Sequence, residues 1–384
     1  MNIIKATQDY EQWLARVARV VAVDLQHKHD IMGASAFSLF RGSYYWWCYR
    51  FPRALPALAT APQILGVGDL HCENFGTWSD RKGREIFGIN DFDEVSLLPY
   101  TNDLVRLMTS VIFTVRKYNL PLEVEEAQEA IVSAYRETIS SGGSPLVLDK
   151  SPSLSALLKD NKKSPARYFK SLQKQCVPVD EVPRKVRRSV LSMIPPNHKE
   201  GQWYHRQSGC GSLGRPRFVQ IASGANESRV VREAKLLLPS AWTLVNSEWK
   251  GRRILISRVL KRAVRVADPY FRNKHGWLVR RLSPEGGKAR LQSLSEKTQL
   301  LTLLAAMGQE TANIHSGHPK AGALILKDLK ARPANWLSQA AFAMHELVLR
   351  DFEVWRNGMQ VAQDLPEVPS GSIIPDVPDV PSAA

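Results

Sequence analysis

No two of the four cysteines stand at a CxxC spacing: Cys48, Cys72, Cys176 and Cys210 are scattered through 384 residues. With no local metal-ligand spacing among them, a reduced, cytoplasmic protein is the simplest expectation. No apolar run approaches the roughly 20 residues that a membrane-spanning helix needs. The opening "MNIIKATQDYEQWLARVARV" has no basic stretch followed by an apolar one, so no secretory leader is expected. Positive charge is missing from the end of the chain. Beyond Arg356 there is no Lys or Arg, whereas Asp364, Glu367, Asp376 and Asp379 are acidic. With 52 basic and 37 acidic residues the net charge is +15, and the body before that tail is more basic still. Such a body attracts polyanions: nucleotides, phosphorylated small molecules, nucleic acid or acidic surfaces. Nucleic acid stands as a partner without motif support. The composition, 44% hydrophobic and 23% charged, excludes a wholly disordered chain, and the length suits two lobes.

The apolar pattern marks helices over 8–26, 101–118 and roughly 122–139, with Thr101 or Asn102 placed to cap the second. "QILGVGDL" and "REIFGINDF" read as strands that each end in a carboxylate, with "SDRKG" a turn before the second. Residues 140–196 are looser and basic, a linker or helical insertion. "RQSGCGSLGRPRFVQIA", 207–223, reads as a Gly-rich turn entering a strand. "ESRVVREAKLLLPSA" holds a strand or short helix, "RRILISRVL" and "GWLVRRL" are strand-like, and 295–358 is helical. The Pro-rich segment 361–384 has no face to pack and is expected to be disordered.

The densest polar functionality is "GVGDLHCENFGTW", residues 66–78, followed by "INDFDE", residues 89–94. A strand ending at Gly68-Asp69 projects that carboxylate from its end, and a five-residue turn brings Asn74 back to the same side. A second strand delivers Asp91 beside both. One carboxamide and two carboxylates form an oxygen-only site suited to Mg²⁺ with phosphate oxygens completing its shell. That is the equipment of phosphoryl transfer, in which an acid orients or deprotonates the nucleophile.

"GDLHCEN" resembles the catalytic loop of protein-kinase-like and aminoglycoside or choline phosphotransferase-like enzymes, and "INDFDE" resembles their metal-binding element. "LLPYTNDLVRLM" is similar to the segment that follows in small-molecule kinases. The order of "SAFSLFRG", "GDLHCENFG", "NDFDE", "NDLVRL" and "GCGSLG" over most of residues 30–320 resembles the bacterial "domain of unknown function 2252" family. The kinase resemblance implies Asp69 as catalytic base, Asn74 and Asp91 as Mg²⁺ ligands, and Asp103 starting a helix beneath the catalytic loop. It also implies a Gly-rich loop (Gly209, Gly211, Ser212, Gly214) over the phosphates of ATP, with a basic residue on the next strand. Arg232, 18 positions after Gly214, is assigned that place, where the pattern expects Lys; Lys235 lies three residues further on.

The implied fold is α+β, two-lobed and protein-kinase-like, with the lobe order permuted because the Gly-rich element follows the catalytic one. The implied divisions are a helical lobe with the catalytic and metal loops over 1–140, a basic insertion over 141–200, a β-rich nucleotide-covering lobe over 201–290 and a helical remainder over 291–360. The expected activity is ATP- and Mg²⁺-dependent phosphotransfer to an unknown hydroxyl-bearing acceptor. Alternatives are nucleotidyl transfer by the same fold, a silent nucleotide sensor because of Arg232 and, ranked last, a basic nucleic-acid-binding protein.

Each residue also has a structural reading. Asp69 and Asp91 suit turns and caps when taken singly. His71 is expected to orient its loop. Arg41 is expected either to pair with an acid or to hold a phosphate. Asp93 and Glu94 are supporting groups, an extra ligand or helix-start acids. His315 and His318 are read as helix-end residues. The cluster from Tyr44 to Tyr49 is read as core that could also line a pocket.

Overall fold

The helix that the sequence marks most strongly, Tyr100–Tyr118, runs through the centre of the computed structural model, which describes residues 1–159, 164–225, 228–246, 254–318 and 320–363. The pattern predicts one buried face, yet every residue from Tyr100 to Thr114 is buried. The polar ones are tolerated because each meets a partner. Thr101 and Asn102, the expected caps, work inside instead: Thr101 Oγ1 donates to Leu58 O at 2.7 Å, and Trp47 Nε1 donates to Asn102 Oδ1 at 2.9 Å. The helix starts directly after the extended Pro99 and stops at Asn119, whose left-handed backbone ends it. Trp336–Gln363 packs along it, and Val124–Ser141 and Lys297–His315 form an adjoining pair.

The expected helix over 8–26 is two, Ile3–Val17 and Ala22–Ala34. The break falls where Ala18 turns extended and the Val21 N–H bonds Gly214 O at 3.0 Å, a long-range contact that local periodicity does not encode. The aromatic segment forms the short helices Ala36–Gly42 and Tyr44–Ala54, the first capped by Ser35.

Two strand pairs lie against this helical body. Strand β1 (Gln63–Gly66) pairs with β4 (Ser96–Pro99), and β2 (Phe75–Ser79) with β3 (Glu85–Ile89), both antiparallel. The turn between β2 and β3 is held by Asp80, whose Oδ1 accepts the Lys82 and Arg84 N–H groups. The catalytic-type motif is therefore the β1–β2 connection, and "NDFDE" is the β3–β4 connection.

A second region is a six-stranded antiparallel sheet, ordered β5-β6-β7-β8-β10-β9. Its strands are β5 (Cys176–Pro178), β6 (Trp203–Arg206), β7 (Arg217–Ser223), β8 (Arg229–Leu236), β9 (Arg272–Lys274) and β10 (Trp277–Leu282). Part of the supposed insertion thus belongs to this sheet, as the β5 edge and as helix Arg184–Leu191, whose Val186 and Val190 pack beneath Ala234 and Val279. "RRILISRVL", expected as a strand, contributes helix Ile256–Arg262. Residues 364–384, expected to be disordered, lie outside the described residues. Among the described residues no helix is long and apolar enough to cross a membrane. The architecture is α+β, with mixed helices and antiparallel sheets.

Candidate active site

Asp69 leaves β1 on a backbone that only glycine tolerates. Gly68 has φ +87°, and a Cβ there would stand 2.2 Å from Glu94 O. The loop is gripped from below by Asp103, whose carboxylate accepts the Val67 and Gly68 N–H groups at 2.7 and 2.9 Å. His315 Nε2 reaches the same carboxylate at 3.0 Å, and its Nδ1 meets Tyr135 Oη at 2.7 Å. His315, read as a helix-end residue, is thus a buried link in the loop's support.

The sequence reading overlooks Arg106. Its guanidinium is fully buried and bonds Asp69 Oδ1 through Nε at 2.8 Å and through Nη2. It sits against three rings, 4.0 Å from the Phe40 centroid and 4.9 Å from those of Tyr44 and Trp47. The aromatic segment is therefore a cage that fixes the cation holding Asp69. The spacing signal was present, since Asp103 and Arg106 are one helical turn apart in "NDLVRL". Burial raises the Asp69 pKa to about 7 against the opposing pull of Arg106. Its side chain is 20% exposed.

Asn74 closes the loop: its Oδ1 accepts the His71 N–H at 2.7 Å, and its carbonyl accepts the Asn90 N–H, tying the two acidic motifs together. A second lone pair remains on Oδ1 for a cation. His71 is buried and its pKa lies well below the ordinary range, from burial and then from Arg41, so it stays neutral. Its Nδ1 accepts the Glu73 N–H at 3.3 Å. Arg41 pairs with Glu73 at 2.7 Å.

Asp91 is 41% exposed into the same cleft, with its pKa lowered chiefly by Lys235, then Arg280 and Arg217, against the opposing effect of burial. Lys235 lies 3.6 Å from Asp91 and pairs closely with Asp93 Oδ2. Asp93 Oδ1 is buried without a hydrogen-bond partner. Glu94 is structural: it accepts from Arg215 at 3.0 Å and from the Ala241 N–H at 2.7 Å.

The assignment of Arg232 to the cleft is corrected. On β8 alternate side chains face opposite ways, and Arg232 lies on the helix side, donating to Met193 O at 2.8 Å over the Tyr270 ring. Lys235 and Glu233 face the cleft. Glu233 is fully buried among Arg206, Arg217 and Arg280 at 2.6, 3.0 and 2.7 Å, and burial fails to stop these cations from holding it well below the usual range. One carboxylate thereby pre-positions three guanidiniums, an arrangement legible only once the strand register is known.

Gly209, Gly211 and Ser212 line the cleft, and Arg217 Nη2 donates to Ser212 Oγ at 2.5 Å. Gly211 is pressed close: a Cβ there would meet Arg41 O at 3.3 Å and Asp69 Oδ2 at 3.5 Å. Gly214 departs from expectation, packing away from the cleft against Leu25 and Leu14 with φ +90°.

The cleft encloses about 650 Å³ and gathers Asp69, Asn74, Asp91, Asp93 and Lys235. Among the described residues no three Asp, Glu, His or Cys side chains cluster as a metal cage. The exposed Asp91 carboxylate and the unpartnered Asp93 Oδ1 nonetheless fit Mg²⁺, which takes one or two carboxylates and completes its shell with phosphate and water.

Residues 19–176 and 202–357 match a family model described as an uncharacterised protein conserved in bacteria, DUF2252. No curated protein and no solved structure matches the chain.

Proposed function

The chain belongs to the bacterial DUF2252 family, and we propose that it is an ATP- and Mg²⁺-dependent phosphotransferase of kinase-like fold acting on a hydroxyl-bearing acceptor. The observation that carries this reading is the convergence of Asp69, Asp91, Asp93 and Lys235 on one cleft, with Asp103 gripping the loop beneath. The element order strengthens it: β1, catalytic loop, β2, β3, acidic loop and β4, with β1 closing on β4.

On this reading Asp69 accepts the acceptor's hydroxyl proton, and Arg106 keeps its carboxylate oriented. A pKa near 7 leaves that base poised for proton transfer around neutrality. Asp91 and Asp93, with the second lone pair of Asn74, would hold Mg²⁺, which would supply charge to offset that of the phosphates. Lys235, Arg217 and Arg280 face the phosphates from the sheet. Gly209–Ser212 covers them closely because glycine lets the backbone approach Asp69. Lys235 supplies the basic residue that Arg232 does not, which supports turnover over the silent-sensor alternative. Nucleotidyl transfer uses the same residues and is separated by product.

Calorimetry of the full chain with ATP, with and without Mg²⁺, tests the reading alongside chromatography of the nucleotide product. Mg²⁺-dependent binding with ADP released is the expected result. AMP or pyrophosphate release would shift the reading to nucleotidyl transfer, and absence of Mg-ATP binding would overturn it.

A further inference from the structure

Apart from Arg215 and Arg265, which pair with Glu94 and Glu310, the cations of the cleft fall into two groups. One stands on the six-stranded sheet facing Asp91 and Asp93, and is absorbed by the phosphotransferase reading. The other surrounds the far end of the catalytic loop and has no role in it: Arg41, Lys288 and Arg290. Lys288 is delivered by "EGGKA", which lies alongside β2 as an added strand. The Thr77 N–H donates to Gly287 O at 2.8 Å, the Ala289 N–H donates to Phe75 O at 3.0 Å, and Gly76 bridges Lys288. Because β2 begins immediately after Asn74, this register fixes Lys288 beside the catalytic loop.

The chemistry of this corner is one-sided. Glu73 is its acid, and the 2.7 Å contact with Arg41 already neutralises it. Arg41 keeps a buried Nε without a partner. Lys288 and Arg290 are exposed to the cleft and have no ion-pair partner within 4.0 Å among the described residues. The cleft walls, and then the like charge of Arg41, push the Lys288 pKa down, so an arriving anion gains by relieving that repulsion. Across the loop, Asp69 is the hydroxyl-activating group. Gly211 stands against both Arg41 O and Asp69 Oδ2, so the Arg41 backbone and the base border one space.

We propose that the acceptor is itself an anion, a hydroxylated small molecule whose phosphate or carboxylate group is held by Lys288 and Arg41 while its hydroxyl meets Asp69. This rests on the phosphotransferase reading and adds the substrate class. A polycationic acceptor is disfavoured, since the corner's acid is spent and two unpaired cations face it.

The test measures Mg-ATP consumption by the full chain with glycerol 3-phosphate, glucose 6-phosphate and tartrate, beside glycerol, glucose and a cationic aminoglycoside. Binding of each compound is measured in parallel in the presence of a non-hydrolysable Mg-ATP analogue. Anionic compounds are expected to bind and to accelerate consumption, with the phosphate and carboxylate arms identifying which anion serves. Lys288→Met is expected to raise the acceptor KM or Kd by at least about tenfold, the scale of a lost charged hydrogen bond, with the loss falling on the acceptor and not on the nucleotide. Lys82→Met, in the distant β2–β3 turn, controls for net charge. Binding of the neutral or cationic compounds in preference to the anions overturns the inference. So does an Lys288→Met defect confined to the nucleotide. If Mg-ATP is neither bound nor consumed, the phosphotransferase reading fails, while Lys288-dependent binding of the anions without nucleotide would still support the anionic site.

Discussion

Arg106 is the residue whose removal says most about how the site works. Asp69 sits near pKa 7 because burial raises it while Arg106 pulls it back. An adjacent opposite charge lowers a carboxyl pKa by about 1–3 units, so Arg106→Met is expected to move Asp69 from about 7 to roughly 8–10. At pH 7.5 a base of pKa 7 is about 76% ionised, and one of pKa 9 about 3%. The expected loss of turnover is therefore about 25-fold, with about 3-fold and about 240-fold as the bounds. The loss is expected to disappear on raising the pH, falling below about 1.5-fold at pH 9.5 for a pKa of 9. Methionine keeps the Phe40–Tyr44–Trp47 cage filled, and Arg106→Lys restores a charge without the two-pronged contact, so it should fall between the two. The assay is the pH profile of Mg-ATP consumption for the three proteins. A loss of equal size at every pH would refute the electrostatic role of Arg106, and no loss at all would remove Asp69 as the base.

Three further outcomes follow from the same geometry. The folded pKa of Asp69, about 7, lies above its ordinary 3.8, so the native state keeps a proton that the unfolded chain releases as pH rises between them. Stability is thus lost across that window, by about 4 kcal/mol above it, and Asp69→Asn is expected to unfold at higher denaturant than the parent at pH 8 but alike near pH 4. Asp103→Ala strands the buried Val67 and Gly68 N–H groups at about 1–3 kcal/mol each, so its denaturation midpoint drops sharply, whereas Asp103→Asn retains an acceptor and falls less. Lys235→Met is expected to weaken Mg-ATP binding in calorimetry by at least about tenfold, while Arg232→Met, on the other face of β8, lowers stability and spares affinity; the opposite ranking would restore Arg232 to the cleft.

What could be read from the sequence was local and dense. "GDLHCEN", "NDFDE" and "NDLVRL" place their polar groups within a few positions of one another, and strands and turns of that length leave little freedom in where those groups point. The α+β class came with the resemblance, and the local patterns marked five of the ten strands, β1, β3, β7, β8 and β10. What escaped depends on pairing register. Counting 18 residues from Gly214 reaches Arg232, yet a strand reverses its face at every residue, and only the pairing of Lys235 with Arg217 shows which parity meets the cleft. Glu233 and its three arginines come from three other strand positions far apart in sequence. Lys288 reaches the site only because "GGKA" adds itself to β2, although the paired glycines were a visible sign of close backbone approach. Arg106 was hidden by a pattern that read its helix as one-sided, when the opposite side is buried by the aromatic helices.

The most direct measurement follows the γ-phosphoryl group. The full chain, Asp69→Ala and Asp91→Ala are incubated with γ-labelled Mg-ATP, and label transfer is read together with nucleotide binding. The account predicts that the parent consumes Mg-ATP, that Asp69→Ala still binds it but transfers label at least about 100-fold more slowly, and that Asp91→Ala loses the Mg²⁺-dependent part of binding. Equal consumption by all three proteins would contradict it.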